Sequence, residues 1–131
     1  MINGQTKLAF VMLRFIGILI GFLLFSSAVL AQAIKQEDAI QLKPIQVAPH
    51  TYFVQGFPEM GSSTNQNFIS NAGFVVTPAG VVVIDALGSP ELARRLLAEI
   101  AKVTNKPIHT VVLTHYHADH IYGLQVFKDL G

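Results

Sequence analysis

At 131 residues the chain has the length of one domain at most. It is 51% apolar and 13% charged and contains no cysteine, and the charged share is about half that of an ordinary globular protein. That composition excludes a disordered, collagen-like or disulfide-stapled protein. The apolar residues are unevenly spread: over the first thirty positions only Lys7 and Arg14 carry charge.

Phe15 to Phe25 runs without a polar side chain and is followed by Ser26-Ser27-Ala28-Val29-Leu30-Ala31-Gln32-Ala33. A basic lead, a short apolar stretch and small residues in cleavage register predict a secretory signal peptide over residues 1–33. Cleavage after Ala31 or after Ala33 fits, and the Ala-Gln-Ala pattern favours the second. Export places the mature chain in the periplasm or outside the cell. The alternative is a retained membrane anchor, because residues 15–34 hold no charge and are long enough to span a bilayer. Removing residues 1–33 takes Lys7 and Arg14 with it and moves the net charge from +1 to −1. Arg94-Arg95 is then the only adjacent basic pair, so nucleic acid is not an expected partner. The expected partner is a small-molecule substrate, with membrane contact only through an uncleaved anchor.

Residues 34–50 are polar and broken by Pro44 and Pro49, which predicts a lead-in without regular structure. Thr51 to Val54 reads as a strand ended by Gly56 and Pro58, and residues 61–67 read as a loop. Gly73–Thr77 and Val81–Ile84 read as strands joined by Pro78-Ala79-Gly80, which supplies turn chemistry for a hairpin. The unbroken aliphatic run of the second predicts a strand covered on both faces. Ser89-Pro90 opens a helix, with serine as cap and proline at the first position. Leu92, Leu96 and Ile100 form its apolar stripe, and Asn105 and Pro107 follow its end. Ile108 to Leu113 is a further strand, and a second helical pattern runs from about His120 with Leu124, Phe127 and Leu130 on one side. The order predicts an α/β fold, a mixed sheet with helices packed on it.

Directly after the last strand the chain reads Thr114-His115-Tyr116-His117-Ala118-Asp119-His120, placing four candidate metal ligands within six positions. In extended backbone His115 and His117 project to the same side and reach one cation. Asp119 and His120 follow where the chain turns into a helix, in position for a neighbouring cation. Imidazole and carboxylate donors suit zinc, at about 2.0–2.2 Å, although iron and manganese accept the same donors. Taken singly, Asp119 also suits a helix cap. Tyr116 and Tyr122 read as packing residues, and His50 and His109 as surface or hydrogen-bonded histidines.

His115-x-His117-x-Asp119-His120 after a strand resembles the H-x-H-x-D-H signature of the metallo-β-lactamase superfamily, and Val81-Val82-Val83-Ile84-Asp85 resembles that family's upstream strand ending in aspartate. The likeness runs from about Thr51 to the last residue. It implies the amino-terminal half of a four-layer αββα sandwich over residues 51–131, with helices on one face of the sheet. It also implies a two-zinc site, with His115 and His117 on the first ion and Asp119 and His120 on the second. By the same resemblance Asp119 is the candidate catalytic residue as well, and Asp85 is expected to support the ligand loop from behind. Relatives that hold two irons usually carry glutamate where this chain has His117, which favours a hydrolytic dizinc centre. Many glyoxalase-type relatives have two glycines after the last histidine; Ile121-Tyr122-Gly123 keeps only the second, which weakens a glutathione thioester substrate.

The implied activity is hydrolysis of a carbonyl, ester, thioester or lactam compound by metal-activated water. No G-x-S-x-G elbow and no cysteine offers another nucleophile. A catalytic zinc takes about three protein ligands, and the motif holds four for two ions. The sequence stops eleven residues after His120. The expectation is therefore a fragment or truncated product, marginally stable and weakly active or inactive alone. The alternative is an exported metal-binding remnant or accessory protein without catalysis.

Overall fold

The computed structural model describes residues 40–130. The signal-peptide expectation, with its anchor alternative, lies outside the described residues. Among them, no helix is long and apolar enough to cross a membrane.

Five strands, β1 (Ile45–Ala48), β2 (Thr51–Val54), β3 (Ala72–Val76), β4 (Val81–Ile84) and β5 (Ile108–Val112), form one sheet in chain order. The first four pair antiparallel, and β5 joins β4 in parallel. Such a parallel pair needs a crossover, and α1 (Pro90–Val103) supplies it. Two short helices, α2 (Ala118–Ile121) and α3 (Leu124–Lys128), follow β5.

The lead-in contributes more than its composition predicts. Pro44 and Pro49 bracket a proline-free stretch, and Ile45 pairs with Phe53 while Gln46 pairs with Tyr52 at the sheet edge. Proline is tolerated just outside such an edge strand. His50 turns the chain between β1 and β2 with φ 62°.

The start of α1 is built as its sequence predicts. The Leu92 amide donates to Ser89 Oγ at 3.1 Å, and Pro90 stands in the first turn. Glu91 lies at the positive end of the helix and Lys102 at the negative end. Leu92, Ala93, Leu96 and Ile100 are buried and share one core with Val54, Phe74, Val83, Leu87 and Phe127. Each fully buried leucine, valine or phenylalanine among them contributes about 1.5–3 kcal/mol relative to exposure. Tyr52 stacks on Phe74 with ring centroids 4.6 Å apart.

β4 is not covered on both faces by the described residues. Val81 and Val83 are buried in the core, whereas Val82 and Ile84 are only half-buried. Alternate side chains point to opposite faces, and α1 packs on the face of Phe74 and Val83. Ile45 and Val112, on the other face, are exposed.

The second helical pattern starts at Ala118 rather than His120 and is broken in two. The Gly123 amide donates to the carbonyl of Leu87 at 3.0 Å, which ends α2 and redirects the chain into α3. A Cβ on Gly123 would lie 1.9 Å from the Ala86 carbonyl oxygen and 2.7 Å from Ala93 Cβ. The glycine is needed for room, since its φ of −78° suits any residue. Of the three side chains expected on one face, Phe127 is buried, Leu124 half-buried and Leu130 exposed.

Candidate metal centre

The centre is assembled from the ends of β4 and β5. After Ile84 the backbone takes positive φ at Asp85 (62°) and Leu87 (65°). A left-handed residue costs roughly 1–2 kcal/mol, less for aspartate, and persists where neighbours hold it. Here the Asp85 amide donates to Val112 O at 2.8 Å, the Ala86 amide to His120 O at 2.8 Å, and Leu87 accepts from Gly123. These bonds carry residues 85–87 beneath the segment 114–123.

Asp85 is buried at 4% exposure. The Thr114 amide donates to its Oδ1 at 2.8 Å, and the Thr114 hydroxyl lies 3.0 and 2.8 Å from Oδ1 and Oδ2. His120 Nδ1 stands 2.8 Å from Oδ2. Burial pushes the carboxyl upward, but the hydrogen bonds from the Thr114 amide, His120 and the Thr114 hydroxyl prevail and hold it below the ordinary aspartate value. An ionised carboxylate only accepts, so His120 donates through Nδ1–H, and in the neutral ring the lone pair is on Nε2.

That Nε2 faces Asp119 Oδ2 at 3.4 Å. A lone pair and a carboxylate oxygen at this distance repel unless a proton or a cation lies between them. The His115 ring is centred 4.0 Å from that of His120 and 4.6 Å from that of His117. His115 and His117 are exposed, and Asp119 and His120 are half-buried. The structure thus brings the four motif residues and Asp85 into one cluster. Among the described residues, no three such side chains are arranged to hold a single metal ion as they stand. The donor chemistry fits a divalent cation: three clustered imidazoles and, beside the outer nitrogen of His120, a carboxylate.

Several local expectations change. Asp119 is inside α2, whose cap position is His117, and it makes no cap. The turn begins two residues before His120, which leaves the Asp119 carboxylate available to the cluster. Tyr116 and Tyr122 do not pack: they are 83% and 63% exposed, and the Tyr116 ring stands edge-on to His117 at 5.1 Å. His50 and His109 are exposed and apart from the cluster.

Two supports carry no sequence signal of their own. Ser70, buried in the loop before β3, donates its hydroxyl to the Asp119 carbonyl, 49 residues away. That loop is itself knitted by Asn65, whose Oδ1 accepts from the amides of Ser62 and Asn67 and whose Nδ2 donates to Met60 O. Gly88 lies against Asp119 from the other side, where an added Cβ would be 3.2 Å from Asp119 Cα.

Residues 66–131 match the family described as the metallo-beta-lactamase superfamily. Over 53 residues the chain is 40% identical to the linear primary-alkylsulfatase of Pseudomonas sp. (strain ATCC 19151), a match covering 40% of this chain and 10% of that protein. Over 64 residues it is 39% identical to the metallo-beta-lactamase type 2 of Elizabethkingia meningoseptica, covering 49% of this chain and 26% of the relative. Among solved structures it is similar to a stereoselective inverting sec-alkylsulfatase from Pseudomonas sp., with a TM-score of 0.52 and 30% identity over 66% of this chain and 12% of that one. The chain therefore spans a minor part of the length of the relatives it matches.

Proposed function

The chain belongs to the metallo-beta-lactamase superfamily, and from that membership we propose that His115, His117, Asp119 and His120 hold zinc in a hydrolase acting on carbonyl, ester, thioester or lactam substrates. Relatives named as alkylsulfatases and beta-lactamases make this a family of hydrolases, and they add sulfate esters to the candidate substrates. The observation that carries the reading is His120, tied through Nδ1 to buried Asp85 and presenting Nε2 beside Asp119.

Zinc bound there would supply a Lewis acid and a water whose pKa falls to about 7. The chain's own residues fix its donors in advance. Asp85 holds His120 in one tautomer and one orientation, which is the task of the outer partner of a metal-bound imidazole. Ser70 holds the peptide between Asp119 and His120. His115 and His117, on the exposed side, are reachable from solvent and from substrate. Two catalytic zinc ions take about six protein contacts, and these four residues supply only part of that set. Slow turnover is the expectation for this polypeptide alone. We also place it outside the cytoplasm, on the strength of residues 15–33, or tethered to a membrane by them.

The shortfall of these four donors against the set two catalytic zinc ions take favours a second reading, a metal-binding protein without catalysis. Offering the zinc-equilibrated full chain an aryl ester, a thioester, a β-lactam and an alkyl sulfate separates the two. The hydrolase reading expects slow turnover that a chelator abolishes and zinc restores. Turnover that survives chelation contradicts it, and bound zinc with no turnover on any of the four favours the second reading.

A further inference from the structure

We propose that Thr114 is a positioning residue that fixes the tautomer of His115, relaying the buried carboxylate of Asp85 to a second imidazole. The Thr114 hydroxyl lies 2.8 and 3.0 Å from the two oxygens of Asp85, and His115 Nδ1 lies 3.0 Å from the same hydroxyl oxygen. A hydroxyl has one proton and two lone pairs. The carboxylate, which also receives the Thr114 amide and His120, offers no proton, so the hydroxyl donates its own to Asp85. Its oxygen is then left only as an acceptor towards His115, and Nδ1 must carry the proton of that ring. In the neutral ring Nε2 is bare.

One buried aspartate therefore sets two imidazoles alike, His120 directly and His115 through Thr114, each with its proton on the inner nitrogen. The Thr114 amide has its own bond to Asp85, so the strand end does not depend on the hydroxyl. Its use in metal binding rests on the reading of His115 as a zinc donor; the tautomer itself does not. Zinc then meets an imidazole that needs no proton shift before it ligates.

The test is nitrogen-15 NMR of the imidazoles in the labelled, metal-free full chain, above about pH 8 where an ordinary histidine is neutral. The wild type is expected to show a protonated Nδ1 and a bare Nε2 at His115. Thr114→Val, nearly isosteric at an exposed residue, is expected to release the ring to a mixture of tautomers, and Thr114→Ser to restore the wild-type signature. Zinc titrated against a chromophoric chelator is expected to bind Thr114→Val about 10–100-fold more weakly and Thr114→Ser as the wild type. A wild-type His115 protonated at Nε2 overturns the proposal, whatever the variants do. So does a Thr114→Val chain with the tautomer unchanged. If the tautomer responds while the wild type takes up no zinc, the metal reading fails and the relay stands.

Discussion

His120 Nδ1 meets Asp85 Oδ2 at 2.8 Å across a sequence separation of 35 residues. The contact joins the end of β4 to the turn after β5, so the parallel pairing of those strands is what brings the aspartate under the histidine. Replacing Asp85 with asparagine keeps the shape and removes the charge. Zinc affinity, measured by chelator competition, is expected to fall about 10–100-fold.

The same carboxylate makes the fold acid-sensitive. Its folded value is below the ordinary one, so its stabilisation is complete above the unfolded pKa of about 3.9 and is lost as pH falls through the folded value. The urea midpoint of the full chain is expected to drop as the pH falls below about 4. In Asp85→Asn that drop is expected to be smaller at every step.

Ser70→Ala removes the donor to the Asp119 carbonyl and leaves a part-buried acceptor unpaired. Equilibrium denaturation is expected to show a loss of about 1–3 kcal/mol. Hydrogen exchange is expected to quicken at residues 118–121 and to be unchanged within α1.

Gly123→Ala places a methyl group 1.9 Å from the Ala86 carbonyl oxygen. The turn between α2 and α3 must move, at a cost of about 1–3 kcal/mol or more, read as a lowered thermal midpoint. Ser89→Ala is the contrasting case: it removes only the cap on the Leu92 amide, is expected to cost about 1 kcal/mol, and leaves zinc affinity as it was.

What was legible in the sequence is what depends on local pattern. The 3.6-residue stripe of Leu92, Leu96 and Ile100, the Ser89-Pro90 start, the hairpin of β3 and β4 and the strand Ile108–Val112 all follow from periodicity and turn chemistry. The four motif residues were legible because they crowd into one turn. Less legible were features set by contacts distant in sequence. β1 forms because β2 offers it an edge, which the prolines on either side conceal. The break at Gly123 is set by its bond to the carbonyl of Leu87, and Ser70 reaches Asp119 from the loop knitted by Asn65.

The proposed role of His115 and His117 on one divalent ion, and of Asp119 and His120 on its neighbour, is the reading on which the rest depends. It is tested most directly by titrating the full chain with zinc against a chromophoric chelator, beside the variants His115→Ala, His117→Ala and Asp119→Ala. Zinc uptake by the wild type is expected, with a loss of at least about tenfold in affinity in each variant. Equal uptake by all four chains, or none by the wild type, would contradict it.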